Sequence, residues 1–144
     1  MTEVAFHFNA PDKLGYVCRL LRKALTTQAR VVVTGPDPVL RALDVQLWTF
    51  APLAFVPHCM ADAPPRLLRA SPIVLAEAAH QGPHQQVLVN LGESVPGGFE
   101  RFERLIEVVG LEDADRLGAR QRWRHYADRG YAIRRHDLVL QEAG

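Results

Sequence analysis

The sequence predicts an α/β protein, a single domain over residues 1–144 with a mainly parallel sheet flanked by helices. Two observations carry this. Short β-branched or apolar runs alternate with amphipathic segments of helical period, and strands joined by helices favour parallel pairing through right-handed crossovers. In addition, 144 residues with 48% hydrophobic content suffice for one core and fall short of two ordinary domains.

Val4, Phe6 and Phe8 alternate with Ala5 and His7, the period of a strand, which Asn9-Ala10-Pro11-Asp12 brings to an end. From Lys13 to about Gln28, the residues Leu14, Val17, Leu20, Leu21 and Leu25 recur at helical spacing, with Asp12 as N-cap. Arg30 to Thr34 is a continuous β-branched run, the mark of a strand covered on both faces. Gly35-Pro36-Asp37-Pro38 then predicts a helix capped by Asp37, with Pro38 first inside it, running to about Trp48. Val56-Pro57 reads as the end of a short strand.

Two further strands are predicted, Pro72 to Ala76 and Gln86 to Leu91, separated by the polar turn from His80 to His84. Two closing helices follow. The first runs from about Gly98 to Val109, on the spacing of Phe99, Phe102, Leu105, Ile106 and Val109. The second runs from near Leu111 to Gly130, a natural residue just past a helix end.

Composition excludes several classes of function. Charged residues make up 23% and the net charge is +1, so any nucleic-acid attraction must be local. The N-terminus has no secretory pattern and no apolar run approaches the roughly 20 residues of a membrane span, so a cytoplasmic protein is expected. Cys18 and Cys59 lie far apart, outside any ligand spacing, and are expected to be reduced thiols.

Signals for catalysis are thin. The strand-turn-helix at Gly35 has the outline of a phosphate cradle, but both glycine fingerprints are missing, and Pro36 and Pro38 each remove a backbone donor. Gly82-Pro83 prevents His80 and His84 from sharing a helical face toward one metal. Cys59 lies beside His58 in the chain, but a nucleophile needs a base that meets it in space. No catalytic residue, cofactor or metal is therefore expected.

The arginines of the C-terminal third are the strongest local signal. Between Arg116 and Arg135 seven arginines stand against the single acid Asp128, an excess of six positive charges. Such a run is commonly a solvated face tuned to the helix dipole. Trp123 argues for more, because helical spacing puts it on one face with Arg116 and Arg120. Two guanidiniums beside an indole suit a ligand carrying carboxylates and an apolar group. They also suit single-stranded nucleic acid, with bases stacked on the ring.

Leu47-Trp48, followed after six residues by Phe55-Val56-Pro57-His58, resembles the signature of the DNA polymerase III chi subunit family. Phe6-His7-Phe8, Val17-Cys18, the Arg30 to Val33 strand, Val87 to Leu91 and the arginine-rich terminal helix fall in the family's order, up to about Leu140. The resemblance implies a Rossmann-like, three-layer fold without nucleotide chemistry. It implies an accessory subunit of the clamp-loader assembly that catalyses nothing. The implied partners are the psi subunit and the acidic, phenylalanine-ended tail of the single-stranded DNA-binding protein, with weak or indirect nucleic-acid contact and no membrane. It further implies a tail site made of Trp48, Phe55, Arg116, Arg120 and Trp123. Arg116 stands where the family commonly has lysine, and Trp123 where it commonly has tyrosine. The competing expectations are a direct single-stranded nucleic-acid binder using the same basic helix and a nucleotide-dependent enzyme on this scaffold.

Overall fold

The protein is described by a computed structural model covering residues 1–49 and 56–139. Phe55 lies outside the described residues. The elements in chain order are β1 (Glu3–Ala10), α1 (Lys13–Thr26), β2 (Val31–Thr34), α2 (Asp37–Thr49), β3 (His58–Met60), α3 (Pro65–Ala70), β4 (Ile73–Ala76), β5 (Val87–Asn90), β6 (Arg104–Gly110), α4 (Asp113–Asp128) and β7 (Ile133–Asp137). The strands form one seven-stranded sheet in the order β3-β4-β2-β5-β6-β1-β7, with every neighbouring pair parallel.

The sheet is buried on both faces, as parallel sheets require. Val31, Val33, Leu75, Val89 and Ile106 pack under α1 and α2. Val32, Val74, Leu88, Leu105 and Val109 point the other way, toward α4. This alternation makes three layers. Cys18 belongs to the first core and Cys59 to the second, so the sheet separates the two free thiols.

Local chemistry sets the starts of the helices. Asp12 Oδ1 accepts from the Gly15 backbone N–H at 3.1 Å and caps α1, as its position predicts. In α2, Asp37 is the first helical residue rather than the cap, and it ion-pairs with Arg41 one turn on at 2.7 Å. Gly130 ends the last helix at φ 81°, a left-handed conformation that glycine adopts without penalty.

The segment from Gly98 to Val109 is not a helix. Phe99–Arg101 forms one 3-10 turn, and Arg104–Gly110 is strand β6, paired with both β1 and β5. A continuous apolar run satisfies helical spacing and the two faces of a buried strand equally well. Leu105 and Val109 fill one core while Ile106 and Val108 fill the other, which a helix could not do. The short strand expected to end at Val56-Pro57 is not there, since β3 begins only at His58, and strand β7 and helix α3 have no counterpart among the predicted elements. β7 is an edge strand rich in exposed charge, which hides it from hydrophobic patterning.

Candidate basic groove between α4 and the sheet edge

Helix α4 is held against the sheet by a buried polar cluster. Ala119, Arg122 and Tyr126 recur at helical spacing and face inward. Arg122 Nε donates to Glu107 Oε1 at 3.0 Å, Tyr126 Oη donates to Glu107 Oε2 at 2.6 Å, and Asn90 Nδ2 donates to the same carboxylate at 3.0 and 3.1 Å. Arg122 Nη1 also donates to the Glu93 carbonyl at 2.9 Å. Burial pushes the Glu107 carboxyl above its ordinary pKa, against the pull of Arg122 and the hydrogen bonds from Tyr126 and Asn90. Arg122 is thus neutralised inside the protein, so the basic run displays less charge than its sequence suggests.

With that face anchored, the adjoining face of α4 presents Arg116, Arg120 and Trp123 to a groove of about 890 Å³. Phe6 and Phe8 of β1 line it from the sheet, because the strand period puts both on the α4 side. Trp123 is half-buried, its ring centroid 5.0 Å from that of Phe6. Arg116 Nη2 donates to Asn9 Oδ1 at 3.1 Å, and Asn9 Nδ2 donates to Asp137 Oδ1 at 3.0 Å, which holds this guanidinium over the strand ends. Asn9 itself sits at φ 63°, where β1 loses its regular register with β6. Arg120 is exposed and makes no hydrogen bond or ion pair among the described residues.

The structure therefore brings Arg116, Arg120 and Trp123 together and leaves Trp48 apart. Trp48 ends α2 on the opposite face of the sheet, 58% exposed, with its ring 5.1 Å from that of His58 on β3. β3 and β1 are five strand spacings apart, about 24 Å at the usual interstrand distance. A single pocket walled by both tryptophans is not formed. Phe55, the fifth expected residue, lies outside the described residues.

Several groove residues carry no sign of it in the sequence: Phe6 and Phe8 read as strand residues, Asn9 as a strand terminator, and Arg124 and Arg135 as charges in a run. The alternation of Ile133 with Arg135, matching that of Val4 with Phe6, is the signal that could have placed Arg135 on the α4 side of an edge strand.

The crevice at the carboxyl ends of β2 and β5, where doubly wound folds bind nucleotides, has different chemistry. Glu77 and Glu93 line it, with no lysine or arginine beside them among the described residues. A Cβ on Gly35 would come within 3.2 Å of the Leu91 side chain, so this glycine serves the close approach of the turn to β5. His80 is exposed in a 3-10 turn and His84 lies half-buried beyond it.

A family model described as "DNA polymerase III chi subunit, HolC" matches residues 1–134. The DNA polymerase III subunit chi of Pseudomonas aeruginosa is 33% identical over 143 residues, covering 96% of this chain and 98% of that relative.

Proposed function

This chain belongs to the DNA polymerase III chi subunit family, a replication accessory subunit, and on that premise we propose that it is a non-catalytic linker. It joins the clamp loader, through the psi subunit, to the acidic C-terminal tail of single-stranded DNA-binding protein. The observation that carries this reading is the groove itself: an exposed Arg120, unpaired among the described residues, beside a half-buried Trp123 and a tethered Arg116. A phenylalanine-ended acidic tail matches it group for group. Arginine binds carboxylates bidentately, and the aromatic floor takes the phenyl ring.

Two partners need two surfaces. Val45 and Trp48 lie on one face of α2, 61% and 58% exposed, on the far side of the sheet from the groove. We assign psi to that face and the tail to the groove, so that both can be held at once.

Burying a phenyl group stabilises a complex by about 1.5 to 3 kcal/mol, and a charge-assisted hydrogen bond adds roughly 1.5 to 3. After ordering costs, a micromolar dissociation constant, about −8 kcal/mol, is expected. Calorimetric titration of the purified protein with an acidic peptide ending in phenylalanine, with an oligonucleotide and with ATP tests the reading. Micromolar peptide binding, with no ATP response, supports it. Tight oligonucleotide binding at physiological salt with no peptide binding overturns it in favour of a nucleic-acid module.

A further inference from the structure

Arg135 completes the groove from the side opposite α4. It stands on β7 in register with Phe6 of β1, which puts both side chains on the α4 face of the sheet. Its guanidinium carbon lies 5.3 Å from the Phe8 ring centroid and 6.0 Å from that of Trp123. It is exposed, and it pairs with no carboxylate among the described residues. Stacking engages the flat face of a guanidinium and leaves its in-plane N–H donors for a ligand.

The charge balance points the same way. Arg116, Arg120, Arg124 and Arg135 all line the groove, and among the described residues no aspartate or glutamate does. One terminal carboxylate needs one or two of these guanidiniums. The surplus fits a ligand with several further negative charges, laid across the aromatic floor from helix to edge strand.

We propose that Arg135 is a further binding residue of this groove, contacting the acidic residues that precede the terminal phenylalanine. This rests on the reading of the groove as an acidic-peptide site. The peptide chain crosses from α4, where Arg120 holds its end, to β7, where Arg135 holds its upstream carboxylates. Trp123 then has two functions: it walls the phenyl group and it keeps the Arg135 guanidinium flat.

Fluorescence anisotropy with two labelled peptides tests this. One is a run of aspartates ending in phenylalanine; the other has asparagine at each aspartate. Arg135→Ala is expected to weaken the aspartate peptide about tenfold, as loss of a charge-assisted contact does. It is expected to weaken the asparagine peptide less than about twofold, with Arg135→Lys restoring part of the loss. Circular dichroism checks that each variant is folded. If wild type and Arg120→Ala differ while wild type and Arg135→Ala do not, the role of Arg135 is overturned and the groove reading stands. An equal loss for both peptides also overturns it, since Arg135 would then act only by supporting Trp123. If the wild type binds neither peptide, or Arg120→Ala changes nothing, both readings fall.

Discussion

Arg122 and Glu107 form an ion pair 3.0 Å long with both side chains buried, 4% and 0% exposed, although Arg122 stands only two residues from the exposed Arg120. Neighbours in the chain thus have opposite roles. One arginine anchors α4 from beneath, and the other faces the groove.

Removing the anchor is expected to be costly. Arg122→Ala leaves the Glu107 carboxylate buried without its cation, a change that destabilises proteins by about 3 to 5 kcal/mol. Urea unfolding followed by circular dichroism measures it. A loss under about 1 kcal/mol would show that this cluster does not hold the helix in place.

Arg120→Ala is expected to leave the urea midpoint unchanged, because the side chain is exposed and unpaired among the described residues. It should weaken the phenylalanine-ended acidic peptide about tenfold or more. Trp48→Ala should leave that affinity within about twofold, since Trp48 lies across the sheet from the groove. Calorimetry on the two variants decides between one extended site and two separate ones.

Direct binding to single-stranded DNA should be weak and sensitive to salt. Four groove arginines neutralising four phosphates would give a slope of log affinity against log salt of about −3. Anisotropy with an oligonucleotide at low and physiological salt measures it. A steeper slope, with tight binding retained at physiological salt, would mean that the DNA contact extends beyond this groove.

His7 makes stability depend on pH. Burial, with His136, Arg104 and Lys23 nearby, lowers its pKa from 6.5 to about 4, and its Nδ1 shares a 2.5 Å hydrogen bond with the Tyr16 hydroxyl. Between these values the unfolded chain takes up a proton that the folded protein refuses. The contribution is therefore present above pH 6.5 and is lost as pH falls toward 4. A shift of this size corresponds to at most about 3 kcal/mol. His7→Gln should flatten the curve by up to that amount. Parallel curves for the two proteins, from urea midpoints between pH 7 and 4, would assign the acid sensitivity elsewhere.

Features that depend on neighbours in the chain were legible from residue order. Asp12 caps α1 because its carboxylate reaches a backbone N–H three residues away, whatever the rest of the protein does. The β-branched run at Val31 to Thr34 had to be a covered strand. The shared face of Arg116, Arg120 and Trp123 follows from helical geometry alone, so that wall of the groove could be named in advance.

Features that depend on which distant segments meet were not legible. The Arg104 to Gly110 run fits two periodicities, and only its pairing between β1 and β5 selects strand. Trp48 and Trp123 look like partners until the strand order puts five spacings and a whole sheet between them. Arg122 appears as one more surface charge until Glu107, on a different element, supplies the buried carboxylate. Arg135 enters the groove because β7 pairs with β1 at the sheet edge. In each case residue order sets what a side chain could do, and non-local strand pairing sets what it touches.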